Sequence, residues 1–232
     1  MKKTIAQIFA LSLLVFASLA NAAPKQVDAV YGVTRNGQPF ATVTESYRQE
    51  NGHYRIDSVT EGLGAYALFG KRKLSSEGEV TAAGLKPHHF ELHQGNSEKK
   101  TLITDFDWAA NKLTMKIKGK PTVVALEKGA QDLASFPYQF MFAPPSGAQV
   151  VMPVTTGKQL NNYDYKTSEG VAALETPAGK YKTVHLVNAS KDNEDQKEFW
   201  LGAEAYNLPV RITLLDETGS KIEQTLTSLH AQ

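Results

Sequence analysis

Strict alternation of apolar and polar residues constrains this chain more than any other feature. Lys112-Leu113-Thr114-Met115-Lys116-Ile117-Lys118 puts Leu113, Met115 and Ile117 on one face and Lys112, Thr114, Lys116 and Lys118 on the other. A side-chain period of two belongs to a half-buried strand, and a single wet face is the habit of antiparallel sheets. Val210, Ile212 and Leu214 alternate in the same way, as do Leu102, Thr104 and Phe106. Turn residues separate these runs. Asn36-Gly37 lies between Val30–Arg35 and Phe40–Tyr47 and suits a type I′ hairpin; Asn51-Gly52, Gly119-Lys120-Pro121 and Thr218-Gly219 punctuate similarly. The pattern predicts about a dozen strands, mostly joined to their sequence neighbours. The expected fold is mainly β: a single-domain meandering antiparallel sheet. A sheet of that many strands curls, so an open or half barrel is expected.

Two segments break the rhythm. Asp132 to Phe142 reads as one short helix near 133–142, stopped by Pro144-Pro145, with Leu133, Phe136 and Phe140 on one face. Pro137 fits only the first turn, which favours Ser135 over Asp132 as the cap. Gly62 to Gly70 is apolar and glycine-bracketed, a helical turn or a covering loop.

The N-terminus has its own signature. Lys2 and Lys3, the apolar run Ile5 to Leu19 and Ala20-Asn21-Ala22 match a secretory signal peptide over 1–22, cleaved after Ala22. The domain is then 23–232. No later run reaches the roughly 18 apolar residues of a membrane span, and with no Cys there is neither a disulfide nor a lipid-anchor cysteine. The expectation is a protein exported to the periplasm with no membrane span or anchor. Loss of Lys2 and Lys3 takes the formal net charge from +1 to −1. Nucleic-acid binders carry a basic footprint that such a chain lacks.

Several constellations deserve a chemical reading. His89, Glu91 and His93 alternate, so on a strand they share a face at ~6.5–7 Å intervals, as metal ligands or as a solvated face opposite Phe90 and Leu92. The solvated face is favoured, because no further motif supplies supporting ligands. Asp105 and Asp107 flank Phe106 and precede Trp108; they are a carboxylate pair for sugar hydrolysis or the start of a turn, and the turn is favoured. Lys71-Arg72-Lys73 reads as a solvated turn in preference to an anion site. No catalytic, metal or cofactor-binding residue is assigned, and no cofactor is expected. Phe136, Phe140 and Met141 are the candidate ligand-binding residues: an apolar helix over a curved sheet can line an acyl-chain cavity or complete the core. Phe140→Asp is then expected to abolish ligand retention while the fold survives.

Five short signatures stand in order along the chain: Gly84-Leu85-Lys86-Pro87, Asp105-Phe106-Asp107-Trp108, Gln131-Asp132-Leu133-Ala134-Ser135, Thr176-Pro177-Ala178-Gly179 and Leu208-Pro209-Val210-Arg211-Ile212. The series resembles the bacterial domain-of-unknown-function family numbered 3108, whose members are exported proteins without an assigned activity. Trp200, Leu208 to Ile212, Asp216, Gly219 and Gln224 to Leu229 together are similar to the closing hairpin of periplasmic lipoprotein carriers. That resemblance implies an incomplete antiparallel barrel with helices over its concave face, holding lipid chains. The leading expectation is a non-enzymatic binding or carrier-like protein for a lipid or other amphipathic envelope component. An assembly factor that contacts an envelope protein is the alternative, and an envelope hydrolase a third.

Overall fold

The computed structural model describes residues 23–95, 101–168, 170, 172–188, 196–215 and 218–232. The expected export signal at 1–22 and Asp216 of the C-terminal hairpin lie outside the described residues. Eight strands come first: β1 Gln26–Arg35, β2 Gln38–Glu50, β3 His53–Gly62, β4 Arg72–Thr81, β5 Gly84–Gln94, β6 Leu102–Asp107, β7 Lys112–Ile117 and β8 Lys120–Ala125. The chain then forms β9 Gln131–Asp132 and the helix α1 Ser135–Gln139. Seven more strands follow: β10 Gln149–Thr155, β11 Leu160–Thr167, β12 Ala172–Thr176, β13 Gly179–Asn188, β14 Gln196–Gly202, β15 Pro209–Leu215 and β16 Lys221–Ala231. The described residues thus hold sixteen strands, against the dozen that alternation suggests. The surplus comes from pieces with no two-faced pattern, such as β8, which is exposed almost throughout, and β9, which has two residues.

One sheet contains them all. The first and last strands pair at its centre, Val27 opposite Ala231 and Arg35 opposite Ile222. From that pair one wing runs outward through β2 to β8 in sequence order, and the other through β15, β14, β13, β11, β10 and β9. Pairing is antiparallel except between β9 and β10, where Gln131 and Asp132 lie parallel to Val154 and Thr155. Asn36 and Gly37 both take positive φ, 49° and 79°, as a type I′ hairpin requires. Period two reappears as burial: Val27, Ala29, Tyr31 and Val33 of β1 are buried while the residues between them are not.

The helix differs from expectation in extent and in its cap. It spans only five residues, with Pro137 in its first turn, where a missing N–H costs nothing. The cap position is Ala134, with no side-chain capping hydrogen bond, and Asp132 instead closes the turn that leads into the helix. Asp132 Oδ1 accepts the backbone N–H of Ala134 and of Ser135, both at 2.8 Å, while Ser135 Oγ accepts the N–H of Asp132 at 2.9 Å. Asp132 and Ser135 thus satisfy each other's backbone donors at the entry to the helix, a reciprocity like that of a capping box. Gly62 to Gly70 does contain a helical turn, a 3-10 helix over Gly64–Phe69.

Two glutamines fasten α1 to the β4–β5 end of the first wing. Leu85 N–H donates to Gln139 Oε1 at 2.7 Å, Gln139 Nε2 donates to the Ala83 carbonyl at 2.8 Å, and Gln131 Nε2 donates to the Leu85 carbonyl at 2.9 Å. Gly84 sits at φ 102°, and a side chain there would meet the Gln139 amide at 2.4 Å, so glycine serves both the backbone and the close approach. From this anchor α1 faces two apolar clusters. Tyr138 and Met141 pack with β1 to β7, whereas Phe136 and Phe140 pack with Val154, Tyr165, Leu186, Phe199 and Leu201 of the second wing. The wings also touch directly: Thr155 Oγ1 donates to Met115 Sδ at 3.5 Å, and Gly157 packs against Leu102 and Phe90. Among the described residues no helix is long and apolar enough to cross a membrane.

Candidate functional site

A cleft of about 300 Å³ lies beside α1, between the inner faces of the two wings. Val43, Ile56 and Leu74 of β2, β3 and β4 line one wall. Phe199, Ile212, Leu214 and Ile222 of β14, β15 and β16 line the other, and Leu133, Ala134, Phe136 and Pro137 form the floor. Each wall residue faces inward because its strand alternates, so the apolar lining follows directly from the period of two.

Polar residues interrupt this lining in a defined place. Glu45 follows Ala41 and Val43 on the inner face of β2, Ser58 and Thr60 follow Ile56 on β3, and Arg72 precedes Leu74 on β4. Register brings them together: Glu45 lies opposite Ser58, and Thr60 opposite Arg72. The Glu45 carboxylate accepts from Ser58 Oγ at 3.2 Å and from Tyr138 Oη at 3.3 Å. Burial pushes its pKa up, although those hydrogen bonds and the field of Arg72 work the other way. Burial likewise pulls the Arg72 guanidinium pKa down. That group has no hydrogen-bond or ion-pair partner among the described residues. From the opposite wing Lys197 adds a second cation, whose Nζ lies 5.4 Å from the centre of the Tyr163 ring.

The expected ligand-binding residues divide. Phe136 lines the cleft with its ring against Phe140, Tyr163, Tyr165 and Phe199. Phe140 and Met141 are core residues, 1% and 7% exposed, and neither lines the cleft. With Phe140 buried, Phe140→Asp is expected to destabilise the fold, since a carboxylate there would be buried without a partner. Sequence reading missed Glu45, Arg72 and Lys197. A signal for two of them exists: Glu45 interrupts an apolar inner column, and Arg72 shares a face with Leu74. Lys71 and Lys73 are exposed, as a solvated segment requires, but the expected turn is corrected: Arg72 and Lys73 open strand β4, and Arg72 faces the cleft.

The other constellations are engaged elsewhere. His89 Nδ1 pairs with Asp105 at 2.8 Å and its Nε2 with Glu91 at 3.0 Å. Glu91 also meets His93 Nε2 at 2.8 Å, Thr101 meets His93 Nδ1 at 3.1 Å, and Lys116 Nζ donates to Asp105 at 3.0 Å. This is a continuous ribbon across β5, β6 and β7 on the solvent side of the sheet. No group of three metal-ligating side chains able to hold an ion occurs among the described residues. Partial burial disfavours the His89 cation, but hydrogen bonds to Glu91 and Asp105 outweigh it and raise its pKa. Glu91 is lowered by its hydrogen bonds to His89 and His93. Asp107 accepts the Ala110 N–H at 2.9 Å and so begins a turn, while Trp108 Nε1 donates to the Pro87 carbonyl at 2.6 Å.

A family profile described as "Protein of unknown function (DUF3108)" matches residues 26–227. Among curated proteins none matches the chain. Among solved structures, one from Parabacteroides distasonis described as "a putative lipoprotein" aligns over 90% of this chain and 96% of that one, at 9% identity and a TM-score of 0.38.

Proposed function

This chain belongs to the DUF3108 family of proteins of unknown function, and we propose that it is a non-enzymatic, carrier-like binding protein of the cell envelope that holds a hydrophobic or amphipathic component beside α1. The observation that carries the reading is the cleft itself. Its walls are largely apolar, four of its polar side chains (Glu45, Ser58, Thr60 and Arg72) gather on one wall, and its volume of about 300 Å³ lies at the lower end of small-molecule sites.

The reading needs a sheet curled into an open half barrel, and chain geometry supports that curl. The first wing ends at Ala125 and β9 begins the edge of the second at Gln131. A connection this short reaches at most about 20 Å, whereas a flat sheet of this many strands would hold its edges roughly 65 Å apart. The export signal read at 1–22 would place the protein in the periplasm. The likeness of Leu208 to Ile212 and Gln224 to Leu229 to lipoprotein carriers agrees with an acyl-chain ligand. A specific observation favours a second reading, an envelope assembly factor: Leu68 and Phe69 of the 3-10 helix are 89% and 78% exposed, which suits contact with a partner.

Native mass spectrometry of the purified protein separates the two. Binding in the cleft predicts an adduct of one amphiphile per chain, retained from the cell or acquired from an envelope lipid extract. Recovery of only the bare chain, before and after incubation with that extract, would count against the cleft and favour the partner reading.

A further inference from the structure

We infer that the ligand of the cleft is an acyl chain with an anionic head, a carboxylate or a phosphate, recognised by Arg72. This rests on the reading of the cleft as a binding site and goes further by assigning the charge of what it binds. A guanidinium cannot shed its proton to escape an apolar setting, so one half-buried in the cleft is costly unless an anion meets it. Among the described residues no side chain meets the Arg72 guanidinium in a hydrogen bond or ion pair, and Glu45 acts on it only through its field. Among the described residues Glu45 is the only acid lining the cleft, and its carboxylate already accepts from Ser58 and Tyr138.

Lys197 reinforces the argument from the far wall. It too lines the cleft, and it makes no ion pair among the described residues. Two cations therefore line the cleft against one hydrogen-bonded carboxyl group, which leaves a surplus of positive charge in a largely apolar lining. A guanidinium also presents paired N–H donors that match a carboxylate or phosphate in a two-point contact. The apolar remainder, including Ile56, Leu74, Phe136 and Phe199, gives the chain of such a molecule somewhere to lie. The small volume favours a single chain over a multi-chain lipid.

The test compares palmitate, hexadecyl phosphate and hexadecanol, which share a chain length and differ in the head. Binding to the purified full chain is measured by displacement of an uncharged fluorescent probe. At least one anion is expected to bind about tenfold or more tightly than hexadecanol. In Arg72→Met the preference should vanish while hexadecanol affinity is kept, and Arg72→Lys should restore part of it. Because Arg72→Met removes an unpaired charge from an apolar setting, its melting temperature should equal or exceed that of the wild type. Which anion wins distinguishes a fatty acid from a phosphate-headed amphiphile. Equal affinity for all three, or a preference that survives Arg72→Met, would overturn the assignment to Arg72 while leaving the binding reading intact. Failure of all three to bind would overturn both.

Discussion

Replacing Asp132 by alanine is expected to cost about 3–5 kcal/mol of folding stability, because it strands several buried polar groups at once. Asp132 is completely buried. Its two oxygens accept the N–H groups of Ala134 and Ser135 and the hydroxyl of Ser76, the last at 2.6 Å, and Ser76 in turn meets Tyr54 Oη at 3.0 Å. Without the carboxylate, the start of α1 and the inner face of β4 lose their shared partner. Burial nevertheless raises the Asp132 pKa from 3.8 to about 6, more than its hydrogen bonds lower it. The folded protein thus holds this proton more tightly than the unfolded chain does. The associated stability is fully present below about pH 4 and is lost as pH rises through about 6, a change of roughly 3 kcal/mol. Asp132→Asn should remove that dependence, since an amide oxygen can accept both N–H groups while the amide nitrogen donates to Ser76. Urea unfolding at pH 5 and pH 8 checks both variants. An alanine variant as stable as the wild type, or an asparagine variant with undiminished pH dependence, would contradict this account.

Phe136→Ala is expected to be nearly as damaging, at about 3–5 kcal/mol. The ring is 2% exposed and lies 5.3–5.9 Å, centre to centre, from Phe140, Tyr163, Tyr165 and Phe199. Three of those contacts are edge-on, the arrangement aromatic rings prefer, so its removal loses geometry as well as area. It also opens the floor of the cleft. A destabilised protein that still binds an amphiphile is therefore the expected phenotype. A loss below about 1 kcal/mol in the same urea titration would mean that this aromatic cluster does not support the second wing.

What could be read from the residues was local, and what could not was a matter of distance along the chain. Lys112 to Ile117 alternates, so β7 was visible, and Asn36-Gly37 turned out to be the predicted hairpin turn. The central pairing of β1 with β16 was not visible, because nothing local in Val27 says that Ala231 will lie beside it. Short strands such as β8, almost wholly exposed, carry no one-sided pattern and escape a reading based on burial. Asp132 and Ser135 each suit a helix cap, and only the position of Ser76 on a different strand explains why the aspartate is held where it is. The cleft illustrates the same limit. Phe136 stands out because aromatic residues cluster visibly in sequence, whereas Arg72 and Lys197 come to line one cleft only when two wings from opposite ends of the chain face each other.

The most direct test of an amphiphile-binding cleft is where a bound chain lies. Palmitate carrying a nitroxide on its chain, titrated into isotopically labelled protein, broadens the NMR signals of nuclei close to the label. Residues Ile56, Leu74, Phe136, Phe199 and Ile212 line the cleft and should broaden first and together, with unlabelled palmitate restoring them. Broadening confined to Leu68 and Phe69 on the exposed 3-10 helix, with the cleft residues untouched, would contradict the account.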